Sequence, residues 1–174
     1  MRHFPSSLAA ALALAALTSP TFAADKPTDP QIAHIAYTAG DIDVKAGQLA
    51  LEKSQNKAVR SFASDMVRDH TAVNDKALAL VKKLNVTPED NGTSKSLSEQ
   101  AAQKHDELSK LSGAAFDKAY VDNEVAFHKT VDGALETTLI PSASNGELKS
   151  LLQTGLKIFQ GHLAHAEHLA SSLK

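Results

Sequence analysis

An uninterrupted helical pattern from Asn56 to Asn85 constrains the fold of this chain more than any other feature. The stretch contains neither proline nor glycine, and its apolar residues recur three and four positions apart, which places them on one stripe of an α-helix. One position on that stripe is polar, because His70 lies four residues after Met66 and three before Val73. The pattern predicts a long amphipathic helix that carries a titratable ring on its buried side. Its apolar stripe comprises Val59, Phe62, Met66, Val73, Ala77, Leu80 and Leu84.

The N-terminal residues are typical of a secretory signal peptide. Arg2 and His3 precede an apolar run from Leu8 to Leu17, and small residues follow around Ala23. The run has about ten residues, whereas a helix that spans a membrane needs ~20. We therefore expect a signal peptide over residues 1–23, a disordered leader over 24–28 and a single helical bundle over 29–174. Export would bring the mature chain to the periplasm of a bacterium, and association with the outer membrane is left open.

Composition argues against several classes of function. The chain has no cysteine, so neither a disulfide nor a thiolate nucleophile is available. Its 18 lysines and arginines stand against 20 acidic residues without forming a basic patch, which argues against nucleic acid as a partner. The chain contains no Gly-x-Ser-x-Gly turn and no glycine-rich phosphate loop, which disfavours an enzyme of the nucleophile type. No stretch after the signal reaches transmembrane length.

The flanking sequence predicts three more long helices and one shorter helix. The turn between the first two helices is very short, so these helices must be antiparallel neighbours. A long polar connection then leads to a second hairpin, which allows an up-down-down-up order. We therefore expect an all-α four-helix bundle, two antiparallel hairpins joined by a crossover with a shorter helix. The predicted bounds are 29 to about 54, 56–85, 97–112 (capped by Ser96 and Glu99), about 115–139, and 147–173 (capped by Ser144 and Glu147).

Polar residues interrupt or border the apolar stripe of each long helix, and their depths in the bundle agree. Asp43 lies about twelve residues before the first turn and His70 about fourteen after it, which is nearly one level at a rise of ~1.5 Å per residue. Glu124 and His162 lie about eighteen residues before and about nineteen after the second turn, so they also share a level. His128 is one turn from Glu124. If the two hairpins pack with these layers together, the five side chains converge.

Such a cluster suggests a metal site, because imidazoles and carboxylates together suit iron, manganese or zinc. An alternative remains open, in which each histidine is a core residue that a carboxylate or a backbone carbonyl satisfies. In the metal interpretation, nitrogen comes from His70, His128 and His162, oxygen comes from Glu124, and Asp43 or Asp69 supports these ligands from behind.

Three segments carry a resemblance to a known family. The segments are GDIDVKAGQLALEKSQNKAVRSFASDMVRDH, LSGAAFDKAYVDNEVAFHK and HLAHAEHL. They resemble a family of exported bacterial proteins that is catalogued only as a domain of unknown function, whose members are often labelled predicted outer-membrane proteins. The resemblance implies a ferritin-like bundle and no established activity. The family usually has Glu-Val where this chain has Asp43-Val44, which would move a ligand oxygen back by one carbon.

Two classes of function follow from the sequence. The first is a non-catalytic periplasmic bundle that acts in envelope stress or binds a protein or small-molecule partner. The second is a metal-binding ferritin-like protein, either a carrier or a degenerate oxidoreductase. A usual di-iron centre is not encoded, because none of the four long helices has the Glu-x-x-His pairs of such centres. On sequence alone we favour the first class, and the oligomeric state is left open.

Overall fold

Five helices form the part of the chain that the computed structural model describes, residues 26–173. The fourth helix continues through a π-helical turn, Leu135–Leu139, and a last turn, Ile140–Ser142. No strand occurs within the described residues, and the expected all-α bundle is confirmed. The signal peptide expected over residues 1–23 lies outside the described part. The helices are α1 (Asp29–Lys53), α2 (Lys57–Lys83), α3 (Gly92–Ser109), α4 (Gly113–Ala134) and α5 (Gly146–Ser172).

The helices are arranged up-down-down-up, and contacts at the two ends of the bundle establish this order. The Asp29 carboxylate accepts the backbone N–H groups of Ser144 and Asn145, at 2.8 Å each, so α1 and α5 start at the same end. At the other end, Lys53 donates from Nζ to the carbonyl of Ser109 at 2.6 Å, which joins the end of α1 to the end of α3. Helix α1 packs against α2 and α4, α5 packs against α2 and α4, and α3 lies along α1 on the outside.

The crossover helix α3 begins earlier than the sequence pattern predicted. The expected cap formed by Ser96 and Glu99 is wrong, because both residues lie inside the helix. Asn91 caps α3 instead, since its side chain accepts the N–H of Ser94 at 3.0 Å while Ser94 Oγ accepts the N–H of Asn91 at 3.2 Å. A reciprocal pair of this kind satisfies two backbone donors that would otherwise lack partners.

The expected cap of α5 is also wrong by one residue. Asn145, not Ser144, caps this helix, because its side chain accepts the N–H groups of Glu147 and Leu148. Just before it, α4 passes through the π-helical turn, which ends two residues before Pro141 in the last turn of the helix. The proline ring has no N–H to donate and so cannot continue a regular helical ladder.

Two apolar clusters fill the two ends of the bundle and leave its middle to polar side chains. The larger cluster includes Phe62, Phe116 and Tyr120, and the smaller one includes Ile32 of α1 and Phe159 of α5. Along the long helices the buried polar residues come between the members of the two clusters, except for Asp117, which lies beside Phe116 in the larger cluster. The bundle therefore has a polar layer between two apolar ones.

Helices α1 and α2 approach each other closely at this polar layer. A Cβ atom at Gly40 would overlap the Asn74 amide, and one at Gly47 would lie 2.9 Å from Val67 Cγ2 and 3.0 Å from the Ala63 carbonyl oxygen. The two glycines therefore lie on either side of Asp43 and bring α1 close to α2. Among the described residues, no helix is both long enough and apolar enough to cross a membrane.

Candidate metal centre

Five titratable side chains meet in the polar layer, and water reaches almost none of their surface. Asp43 comes from α1, His70 from α2, Glu124 and His128 from α4, and His162 from α5. Their exposed fractions range from 0% for Glu124 to 7% for His162. Each of the four long helices therefore contributes at least one ionisable group to a single buried cluster.

The three imidazole rings of the cluster face one another. One ring nitrogen from each of His70, His128 and His162 lies within 4.8 Å of the other two. The closest pair is His70 Nε2 and His162 Nδ1, at 3.2 Å. Two nitrogens bound to one tetrahedral zinc ion lie about 3.3 Å apart, given metal–nitrogen distances of about 2.05 Å. The spacing of this pair is thus also the spacing of two ligands of one metal.

The second nitrogen of each ring points at an oxygen. His162 Nε2 lies 3.0 Å from Oδ2 of Asp69, and His128 Nδ1 lies 3.0 Å from the backbone carbonyl oxygen of Glu124. His70 Nδ1 faces Oδ2 of Asp43 at 3.4 Å, a longer contact that does not have the alignment of a hydrogen bond. The acceptors behind His128 and His162 favour the tautomers whose protons point outward, which leaves the inward nitrogens of these two rings with lone pairs.

One of the inward nitrogens lacks the partner that a buried polar group requires. His128 Nε2 is fully buried and has no hydrogen-bond partner in the described part of the chain. Its other nitrogen is already bonded to Glu124, so it cannot turn without losing that bond. The hydrogen bond between His70 Nε2 and His162 Nδ1 would still leave His128 Nε2 unsatisfied. A cation at the centre would satisfy all three nitrogens together.

Two carboxyl groups border the imidazole cluster. Asp43, Glu124 and His128 form a second group whose potential ligand atoms all lie within 4.8 Å of one another. Neither carboxyl oxygen of Glu124 has a partner within the described residues. Burial raises the pKa of Glu124 to about 8, and burial together with the neighbouring Glu124 carboxyl raises the pKa of Asp43 well above its usual value.

Burial also keeps two of the imidazoles neutral. Burial, followed by the nearby rings of His128 and His162, lowers the pKa of His70 to about 2. Burial likewise lowers the pKa of His128 to about 4, against the bond to the Glu124 carbonyl. A neutral imidazole is the form that binds metal, so at neutral pH these two rings need not lose a proton first.

Asp69 lies at the edge of the cluster and fixes the orientation of His162. Arg68 holds its carboxylate with two hydrogen bonds, of 2.7 and 3.0 Å, and also reaches Asp65 at 2.6 Å. Arg68, and after it the His162 bond, lowers the pKa of Asp69, which keeps this carboxylate ionised. The Asp69 side chain is 26% exposed, so the cluster opens toward solvent on this side.

Three buried residues of the layer were missed by the sequence analysis. The Phe159 ring stacks on His70, with ring centroids 4.4 Å apart and an angle of 3° between the planes. Asp132 lies one turn after His128, with both oxygens buried and unpartnered, and burial together with the charge of Glu136 raises its pKa to about 6. Asn74 donates to the Tyr37 carbonyl at 3.4 Å. Asp132 and Asn74 both follow a predicted histidine by four residues, a spacing that could have revealed them.

Solved structures with the same fold come from two bacteria. The crystal structure of a "putative secreted protein DUF305" from Streptomyces coelicolor matches with a TM-score of 0.70 and 10% identity, over 82% of this chain and 91% of that one. A DUF305 fragment from Deinococcus radiodurans matches with a TM-score of 0.67 and 18% identity, over 84% of this chain and 99% of that one. At such identities the similarity establishes the fold alone.

The family of this chain follows from its sequence. A comparison with curated proteins gave no significant match. A family model, described as a domain of unknown function (DUF4142), matches residues 14–169, which is most of the chain. The chain therefore belongs to the DUF4142 family of domains of unknown function.

Proposed function

We propose that this protein binds one transition-metal cation in the middle of its bundle, and that holding or carrying this metal is its function. The observation that supports the proposal is the orientation of the three buried histidines. Each has an oxygen behind its outer nitrogen, and the inner nitrogens face a common point. Oxygens that orient metal-binding histidines from behind are usual in metal sites.

The same observation weighs against a purely structural role for the histidines. A buried polar group that serves stability alone should have its hydrogen bonds satisfied, because leaving one unmade costs about 1–3 kcal/mol. His128 Nε2 and both oxygens of Glu124 have no partner among the described residues. A bound cation would turn these costs into favourable contacts.

The chemistry of the donors favours particular ions. Imidazole nitrogens suit zinc and ferrous iron, and manganese binds more weakly to a given set of nitrogen and oxygen ligands. His70, His128 and His162 would supply the nitrogens, and Glu124 or a water molecule would complete the ligands of the ion. Asp43 and Asp69 would hold two of the rings in place. We therefore name zinc and ferrous iron as the preferred ions, with manganese third.

The cellular setting of this function is the bacterial envelope or the space beyond it. The N-terminal signal pattern supports export, as does the description of a protein with the same fold as secreted. The other class of function expected from the sequence, a bundle that binds a small molecule without a metal, is supported by a separate feature, the cavity described below.

Titration of the metal-free protein with cobalt(II) tests the proposal. The mature chain, without a histidine tag, should develop the visible absorption of cobalt bound to nitrogen at a stoichiometry of one, and zinc should displace it. Replacing His128 with Ala should abolish the signal. Replacing the exposed His105 and His168 with Ala should leave the signal unchanged. A signal that follows the exposed histidines instead would mean adventitious binding and would overturn the proposal.

A further inference from the structure

A cavity of about 680 Å³ lies in the half of the bundle that contains Phe159. All four long helices and the start of α3 contribute to its wall. Pockets that bind small molecules commonly have volumes of roughly 300–1,000 Å³. The cavity is therefore large enough for a small ligand, and it is separate from the ring nitrogens of the candidate metal centre.

The cavity exists because small side chains occupy positions where a close-packed bundle would have larger ones. Ala39 on α1, Ala77 on α2, Ala134 on α4 and Gly155 on α5 all line it. Protein interiors are normally packed as densely as organic crystals, with few voids larger than a water molecule. An apolar void of this size therefore indicates that something other than the described residues fills it.

The charge of the lining indicates the kind of ligand. Among the described residues that line the cavity, Lys26 is the only charged one, and none is a carboxylate. The polar residues Gln31, Asn91 and Thr93 lie near the starts of α1 and α3, as Lys26 does. The rest of the lining is mostly aliphatic, with Phe159 and three further polar residues, Asn74, Thr130 and Thr138. An anionic group is thus better matched to the polar end than a cationic one, and an alkyl chain to the interior.

We infer that this cavity binds an anionic amphiphile with a single alkyl chain, such as a fatty acid. The alkyl chain of the ligand lies among the aliphatic side chains and reaches toward Phe159, and the carboxylate of the ligand lies beside Lys26. The inference does not depend on metal binding, and the test therefore uses protein stripped of metal by a chelator.

Calorimetric titration of the mature protein with fatty acids of increasing length provides the test, at concentrations below those that form micelles. The affinity should rise by about fourfold for each methylene from octanoate to dodecanoate, which is the fold-change for burying about 0.8 kcal/mol per methylene. Dodecanoate should bind with a stoichiometry of one. Lys26→Gln should weaken dodecanoate without affecting dodecanol.

A pair of variants on α2 separates the cavity from the surface. Ala77→Leu fills part of the cavity and should weaken dodecanoate by about 60-fold, since it displaces roughly three methylenes at about fourfold each. Ala79→Leu adds the same group at an exposed position and should have no effect. Absence of saturable binding, equal weakening by both variants, or an affinity independent of chain length would overturn the inference. So would a dimer whose interface covers the cavity in the ligand-free protein.

Discussion

Replacing His128 with Leu should make the metal-free protein more stable while it abolishes metal binding. The ring is 1% exposed, and its unpartnered Nε2 costs about 1–3 kcal/mol in the folded state. Leucine has a similar volume and no polar atom, so the substitution removes this cost. It also removes the bond from Nδ1 to the Glu124 carbonyl, which contributes about 1 kcal/mol. The expected net gain is about 0–2 kcal/mol.

This gain can be measured by urea unfolding in the presence of a chelator, and by thermal unfolding. For a domain of this size, 1 kcal/mol corresponds to a shift in Tm of about 2–4 °C, so the variant should melt up to about 8 °C higher than the wild type. Added zinc should raise the Tm of the wild type and leave that of the variant unchanged. His105→Leu, an exposed position on α3, is the control and should change neither property.

The opposite result would refute the reasoning. If His128 is a satisfied core residue, His128→Leu should destabilise the metal-free protein by about 1–3 kcal/mol, because it would then break a favourable polar network. A less stable variant whose zinc response equals that of the wild type would therefore contradict the account of the polar layer.

Three further predictions concern Asp69, the glycines of the helices, and pH. Asp69→Asn should weaken zinc binding by about 10–100-fold in a chelator competition assay, because it weakens the acceptor behind His162. Asp65→Asn removes a carboxylate that contacts Arg68 and should leave zinc binding unchanged. Equal zinc affinities of the two variants would contradict this prediction. Gly47→Ala should lower the free energy of unfolding in urea by about 1–3 kcal/mol, because the added Cβ would press on Ala63 and Val67. Gly161 has open space around it, so Gly161→Ala should raise the free energy of unfolding by about 0.5–1 kcal/mol. The reverse order would refute the close approach of α1 and α2. The metal-free protein should lose stability as the pH falls from about 6.5 toward 4, because the unfolded histidines take up protons there while the folded His70 and His128, with pKa values of about 2 and about 4, do not. Glu124 has the opposite effect on the pH dependence of stability, because burial raises its pKa to about 8 in the folded protein. Its contribution to stability is complete below about pH 4.5 and is lost as the pH rises from about 4.5 to 8. Urea unfolding at a series of pH values gives the free energy of unfolding as a function of pH. This dependence should become weaker below about pH 6.5 for His128→Leu and above about pH 4.5 for Glu124→Gln. Variants with the same pH dependence as the wild type would contradict these assignments.

Much of the architecture could be predicted from the sequence because the helices are long and strongly periodic. The very short turn before Lys57 leaves α1 and α2 no arrangement except an antiparallel hairpin. Counting residues from each turn then put Asp43 level with His70 and Glu124 level with His162, because the rise per residue in a helix is constant. The structure brings these side chains into one layer, together with His128.

Features that depend on packing between helices could not be predicted in this way. Helix α5 has apolar pairs at two positions of its stripe, Leu151 beside Leu152 and Ile158 beside Phe159, and either member of each pair fits a repeat of three and four. Packing against the neighbouring helices buries Leu152 and Phe159. Because Ile158 fits the helical period as well as Phe159 does, the sequence does not reveal the ring that stacks on His70. The cavity could not be predicted from the sequence either, since an alanine is equally compatible with a packed core and with a void until the opposing side chains are known.

The metal content of the protein as the cell makes it is the most direct test of the central claim. The chain should be expressed with its signal, purified from the periplasm without a tag or a chelator, and examined by elemental analysis beside the His128→Leu variant. The account predicts about one atom of zinc or iron per wild-type chain and none in the variant. A wild-type protein that contains no metal, and whose Tm does not change with added zinc, iron or manganese, would contradict it.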